Sequence, residues 1–303
     1  MTIPASAYPI CAALADTTAG APLSAYTTFR IGGPASLLCL PETTEQLKNL
    51  LAACKTEQYP ILMLGAGSNL LVADEGLDAV VIATERLNDI AVEGNTIRAE
   101  AGVSLTALCR KAAEAGLSGL EFAFGIPGSV GGGVYMNAGA YGGELKDVLT
   151  EVEYLDEDGN LHIIPAAECD FSYRHSRFQS ENTVITAATF TLTPDAPEII
   201  QSRMQEIIGK RRDKQPLSYP SAGSAFKRPQ GAFAAALIEQ CGLKGYSVGD
   251  AQVSEKHAGF IINKGNASCT DTCKLFCEVR RIVKEKTGYD LVPEVKLLGR
   301  DWE

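Results

Sequence analysis

The sequence predicts an α+β fold in more than one lobe, and three observations carry that prediction. At 303 residues with 46% hydrophobic content, the chain can bury more than one full core. Its helical and strand-like segments do not alternate in the regular order that a doubly wound parallel sheet requires. Two stretches are dense in glycine, Leu64-Gly-Ala-Gly-Ser-Asn-Leu-Leu71 and Gly125-Ile-Pro-Gly-Ser-Val-Gly-Gly-Gly-Val-Tyr-Met-Asn-Ala-Gly-Ala-Tyr-Gly-Gly143, the second with eight glycines.

The elements follow in order. Residues 42–56 read as a capped amphipathic helix with Leu47, Leu50 and Leu51 on one face. Strand-like runs come at 61–64 and 79–83. Residues 104–116 repeat the helical pattern and end in a glycine C-cap. After the second glycine stretch, residues 148–193 are strand-rich, with the hairpin signal Asp156-Glu-Asp-Gly-Asn160 between alternating runs. Pro194-Asp-Ala-Pro197 marks a boundary. A basic helix over 199–210 and the run Arg211-Arg-Asp-Lys-Gln-Pro216 then lead into a last α+β unit. The expected division is an N-terminal segment 1–26, a domain 27–195 in two lobes (about 27–85 and 86–195), and a second domain 198–303.

Composition excludes several function classes. A formal net charge of −10 argues against a nucleic-acid partner. It leaves room for a small phosphorylated ligand, because a few lysines and arginines can invert the sign within one cleft. The N-terminus lacks a basic region followed by an apolar stretch, and no apolar run reaches membrane-spanning length. Nine cysteines, an odd number without a small-domain spacing pattern, point to reduced thiols and a cytoplasmic protein. Cys269, Cys273 and Cys277 fall on a predicted helix whose apolar stripe includes Leu275, Phe276 and Val279. They lack both the tight Cys-x-x-Cys loop and the fourth ligand of a zinc site, so no metal is expected.

Bare backbone amides facing one spot are how a protein holds a pyrophosphate or a flat conjugated ring without charged side chains. The first loop is not a Rossmann fingerprint, since Gly65-Ala-Gly67-Ser-Asn-Leu70 lacks the third glycine and opens no long helix. Phosphates would then sit on a loop between small sheet elements, with the Ser68 hydroxyl and Asn69 amide beside the backbone donors. Two such loops suggest a dinucleotide lying extended between two lobes; the alternative is a pair of tight turns in a sheet protein.

Six blocks in order carry a resemblance. They are Thr27-Thr-Phe-Arg-Ile-Gly-Gly33, Gly65-Ala-Gly-Ser-Asn-Leu-Leu71, residues 125–142, Phe171-Ser-Tyr-Arg-His-Ser176, Ser221-Ala-Gly-Ser-Ala-Phe-Lys227 and Pro293-Glu-Val295. With them the chain resembles the UDP-N-acetylenolpyruvoylglucosamine reductases, in their shorter (type II) class. The resemblance implies a two-lobed FAD-binding domain of the vanillyl-alcohol-oxidase (PCMH) type and a C-terminal α+β substrate-binding domain. It implies NADPH-dependent reduction of UDP-N-acetylglucosamine enolpyruvate to UDP-N-acetylmuramate through bound FAD, in peptidoglycan precursor synthesis. The implied cofactor residues are Arg30, Gly65, Ala66, Gly67, Ser68, Asn69, Leu70, Gly125, Ile126, Pro127, Gly128, Ser129, Gly132, Asn137, Ala138 and Gly139. No histidine lies in the first glycine loop, so FAD is expected without a covalent bond.

The resemblance also implies three catalytic residues, Arg174, Ser224 and Glu294. Hydride adding to C3 of the enol ether sends negative charge through C2 into the conjugated carboxylate. Arg174 meets that carboxylate with a planar fork of donors. Glu294, where burial protonates it, donates to the same oxygens. Ser224 delivers the proton to C2 as general acid. By residue type alone, without the resemblance, Arg174 reads as a surface charge, Ser224 as a turn hydroxyl and Glu294 as an exposed strand residue. Tyr173, Lys214, Lys227 and His257 are the implied substrate contacts; His257 also reads as a structural histidine, and Arg228 stands where the family often has asparagine. The partners expected are small molecules only, with the chain a monomer or weak dimer. An oxidase of the vanillyl-alcohol-oxidase type would share the glycine loops but needs no serine proton donor. A catalytically dead nucleotide-binding module would not need all three catalytic residues.

Overall fold

A computed structural model describes residues 3–302. The chain passes back and forth between two units. The first takes the described chain up to Ala19, then Leu37–Ala66 and Ala79–Lys210; the second takes Gly20–Ser36, Gly67–Asp78 and the described chain from Arg211 onward. Gly20–Ser36, which the contiguous reading divides between the N-terminal segment and the 27–195 domain, and Gly67–Asp78, which it places in that domain, thus pack with the C-terminal stretch.

The first unit has two cores. In one, the helix Thr44–Thr56 buries Leu47, Leu50 and Cys54 against Leu37, Cys39, Val80 and Ile82. Its start is fixed by Thr43, whose hydroxyl accepts from Gln46 N at 3.1 Å. The strand Ile61–Leu64 runs parallel to Leu77–Ala83, pairing Ile61 with Val80 and Leu64 with Ala83. The other core lies on a five-stranded antiparallel sheet in the spatial order Leu161–Pro165, Leu149–Leu155, Val184–Thr191, Thr96–Glu100, Ile90–Glu93. The hairpin foreseen at 156–160 joins its first two strands, with Leu155 opposite Leu161. The helix Leu105–Glu114 buries Leu105, Leu108, Cys109, Ala112 and Ala113. Ser104 caps it, accepting from Ala107 N at 3.1 Å. Ile200 and Met204 join this core from the helix Pro197–Lys214, which begins on a proline and runs further than the expected 199–210.

The second unit is an antiparallel sheet in the order Ser221–Ser224, Phe260–Asn263, Ala251–Val253, Ser247–Val248. The helices Ala234–Gln240 and Cys269–Thr287 contribute to its core. The inserted segments complete the unit: Phe29, Ile31 and Leu71 are fully buried in that core. The strand Leu70–Val72 pairs in parallel with Lys296–Leu298. Among the described residues no cysteine is joined in a disulfide, and eight of the nine are buried. No helix among the described residues is long and apolar enough to cross a membrane. The α+β class is as expected.

Candidate functional site

The two glycine loops meet inside the first unit. A Cβ at Gly65 would lie 2.6 Å from Ser129 Oγ and 3.9 Å from the Gly132 nitrogen. Ser129, buried, opens the short helix Val130–Tyr135, and its hydroxyl accepts from Gly132 N at 3.4 Å. That helix is fixed from behind by Val130 N and Gly131 N, which donate to Val103 O (2.8 Å) and Ala101 O (2.9 Å). Gly128 is held as well, its carbonyl accepting from Leu105 N at 3.0 Å. Gly132 faces outward; a Cβ there would meet only Ser129 Oγ, at 3.4 Å. Gly65, Ala66, Gly128, Ser129 and Gly132 therefore form a patch of bare backbone, and neither glycine stretch carries a charged side chain. Around it, Gly125 turns the chain with φ +79°, Ile126 packs on the core, and Pro127 is exposed.

The remainder of the first loop belongs to the second unit. Gly67 has φ +59°, and a side chain there would overlap the Tyr26 carbonyl oxygen. Its own carbonyl accepts from Thr28 N at 3.2 Å. The 27–33 block is anchored in turn, with Thr28 Oγ1 donating to Ser221 O (2.8 Å) and Asn263 Nδ2 to Phe29 O (3.2 Å). Arg30 projects from the corner, exposed and left-handed at φ +55°. Ser68 is half-buried beside Asn69, and Leu70 enters the parallel strand pair.

Asn69 does more structural work than expected. Its Nδ2 donates to Glu294 O at 3.2 Å, and its carbonyl accepts from Lys296 N at 2.9 Å. Glu294 N donates to Ala225 O at 2.9 Å, directly after Ser224. Phe226 bridges Pro293, and Lys227 N donates to Val292 O at 2.8 Å. The first glycine loop, the Ser224 block and the Glu294 block thus lie on adjoining backbone. Ser224 is exposed at the end of its strand, at an irregularity in the register, while Glu294 is half-buried.

Arg174 belongs to the first unit. Ser172 and His175 exchange backbone hydrogen bonds, each 3.2 Å, so Tyr173 and Arg174 form the tip of a tight turn. Arg174 takes φ +56°, its Nη2 donates to Gly139 O at 3.3 Å, and its guanidinium lies 5.2 Å from the Tyr173 ring centre. Asn137 is fully buried, and its amide is committed to the protein. Nδ2 donates to Ser172 O (3.1 Å) and Glu144 Oε2 (3.0 Å), while Oδ1 accepts from Lys146 N (3.1 Å). Ala138 is tied to Gly133 O at 2.8 Å beside it.

Tyr173, Lys214 and Lys227 are exposed. His257 is half-buried, edge-on to Phe260 at 5.1 Å, and Nδ1 accepts from Gly259 N at 3.1 Å. In the neutral ring Nε2 then carries the proton. Burial, and after it the charges of Lys244 and Lys214, hold this imidazole below its ordinary value. Arg228 stacks on the exposed ring of Phe233 at 4.0 Å. Cys269 and Cys273 are buried with sulfurs 3.9 Å apart, and Cys277 Sγ donates to Trp302 O at 2.9 Å. Among the described residues no three His, Cys, Asp or Glu side chains gather to hold a metal. Sequence reading missed Gln179, whose amide binds two carbonyls beside Arg174, and Asp74, which caps a distant helix; neither carries a local motif.

An α+β protein with two converging, uncharged glycine loops is in the class of loop-type nucleotide binders. The class is narrowed by a family model described as FAD binding domain, which matches residues 35–164. A model described as UDP-N-acetylenolpyruvoylglucosamine reductase, C-terminal domain, matches residues 215–298. A UDP-N-acetylenolpyruvoylglucosamine reductase of Caldanaerobacter subterraneus subsp. tengcongensis is 48% identical over 278 residues, 92% of each chain. One from Clostridium botulinum is 47% identical over 280 residues, again 92% of each. The crystal structure of UDP-N-acetylenolpyruvylglucosamine reductase from Thermus caldophilus superposes with TM-score 0.79 at 38% identity, covering 93% of this chain and 98% of that one. The chain belongs to the UDP-N-acetylenolpyruvoylglucosamine reductase family.

Proposed function

We infer that the protein reduces UDP-N-acetylglucosamine enolpyruvate to UDP-N-acetylmuramate with NADPH, as an FAD enzyme of peptidoglycan precursor synthesis. Family membership supports the activity. The observation that supports its chemistry most directly is the adjoining backbone of Ser224 and Glu294, joined through Glu294 N and Ala225 O. Nine cysteines with no disulfide among the described residues favour a cytoplasmic setting.

The bare backbone at Gly65, Ser129 and Gly132 fits a pyrophosphate, because a side chain at Gly65 would strike Ser129 and none shields Gly132. These residues would hold FAD without a covalent link, and the flavin would supply hydride transfer between the two substrates. Arg174 receives the enolpyruvyl carboxylate with its guanidinium fork and stabilises the charge that grows there. Ser224 holds the proton destined for C2. A hydroxyl is a weak acid, but the carbon it meets is carbanion-like and strongly basic, so the transfer runs downhill. Glu294 is fixed by Asn69 and Ala225 through its backbone, which sets where its carboxyl group can reach. Lys214, Lys227 and His257 supply donors and positive charge suited to a uridine diphosphate, and Tyr173 offers a ring beside Arg174.

The test separates two half-reactions. Flavin reduction by NADPH needs no proton donor at C2, whereas turnover of the enolpyruvyl group does. Ser224→Ala keeps its FAD and is bleached by NADPH at a near-normal rate. Reoxidation by the enolpyruvyl sugar slows by the ~10²–10⁴ typical of losing a positioned general acid. Stopped-flow absorbance reads both steps on one sample. Equal slowing of both would make Ser224 structural and point to Glu294 as the proton source.

A further inference from the structure

Arg174 sits where its backbone does not belong. Arginine in the left-handed region costs on the order of 1–2 kcal/mol and persists only where the surroundings over-determine it. Of the two tip residues only Arg174 has positive φ, which makes this a type II-like turn, a form whose twist does not match a hairpin. The turn is held by two side-chain amides, one on each side of the tip. Asn137 Nδ2 donates to Ser172 O at 3.1 Å, and Gln179 Nε2 donates to Arg174 O at 3.0 Å. Both amides are rooted in the second glycine stretch. Asn137 is part of it, and Gln179 Nε2 also donates to Tyr135 O at 2.9 Å, where Ser176 Oγ adds a bond of 2.7 Å. Arg174 itself reaches back to Gly139 O at 3.3 Å.

We propose that Gln179 is a positioning residue for Arg174, its carboxamide locking the left-handed turn to the end of the Val130–Tyr135 helix so that the guanidinium is preset for the substrate carboxylate. The proposal rests on the assignment of Arg174 given above. Gln179 touches neither substrate nor cofactor in this account; it acts by holding a backbone conformation that the turn does not favour alone. An error of about 1 Å in a binding group costs on the order of 10²-fold in rate.

The holoenzyme carries the test. In Gln179→Leu, reoxidation of the flavin by saturating enolpyruvyl sugar falls about 10- to 100-fold, while reduction by NADPH stays within about twofold. Amide exchange at Ser172 and His175 quickens about tenfold, with the five-stranded sheet unchanged. Gln179→Lys, which keeps donors at similar reach, stays close to the parent enzyme. Added to Arg174→Ala, the leucine change costs nothing further, because its effect passes through Arg174. The proposal is overturned if Gln179→Leu reoxidises normally while Arg174→Ala is slow, or if lysine is as slow as leucine. It is also overturned if both half-reactions slow together, which would assign Gln179 to the flavin loop instead. If Arg174→Ala itself reoxidises normally, the assignment of Arg174 falls and the proposal with it, a result distinct from the others.

Discussion

At the scale of single residues, several positions of the glycine stretches leave no room for a side chain. Gly67 shows this most sharply. Its left-handed conformation and its approach to the Tyr26 carbonyl leave no space for a Cβ. Gly67→Val should therefore purify without visible flavin absorbance while far-ultraviolet circular dichroism keeps most of the parent signal. Stoichiometric yellow flavin in that variant would remove Gly67 from the cofactor loop. Glycine density alone made this position legible in the sequence. Asn69 and Asn137 were legible only in part. Both stand in the glycine stretches, yet their side chains serve Glu294 and the Arg174 turn, and no local pattern encodes partners more than thirty residues away.

At the scale of elements, caps and apolar spacing located the long helices and the 156–160 hairpin. The helix Val130–Tyr135 escaped, since three of its six residues are glycine and only packing holds it. The start of the Cys269–Thr287 helix was half legible. Ser268 caps it, its hydroxyl accepting from Asp271 N at 3.0 Å. A second cap comes from Asp74, whose carboxylate accepts from Cys269 N (2.7 Å), Thr270 N (2.9 Å) and Thr270 Oγ1 (2.9 Å). Burial works against the Asp74 charge, but these donors and Arg300 outweigh it and hold the carboxyl below its ordinary value. A depressed carboxyl stabilises the fold above the unfolded value near 3.9 and loses that contribution as pH falls through its folded value. Asp74→Asn should cost about 1 kcal/mol at neutral pH, as lost helix caps do. Thermal unfolding followed from pH 7 downward should show the gap closing below about pH 4. A gap independent of pH would mean that the carboxylate charge contributes nothing.

At the scale of the whole molecule, the sequence suggested contiguous domains, and the chain is threaded instead. That threading was hidden because each inserted segment is short and locally unremarkable, and only Phe29, Ile31 and Leu71 betray it by being buried far from the rest of their core in sequence. A fragment of residues 211–303 lacks these side chains and the Leu70–Val72 strand that pairs with Lys296–Leu298. It should fail to fold alone, giving collapsed amide dispersion in a proton–nitrogen spectrum. A dispersed spectrum with a cooperative melt would show the inserts to be dispensable. Trp302 adds a practical consequence. It is the chain's single tryptophan, it lies 4.7 Å from Phe276, and its carbonyl takes the Cys277 thiol. Under excitation selective for indole, the emission colour of the whole protein reports one address, the seam where Trp302 meets the long helix, and alkylating Cys277 turns that address into a dye site without any substitution in the chain.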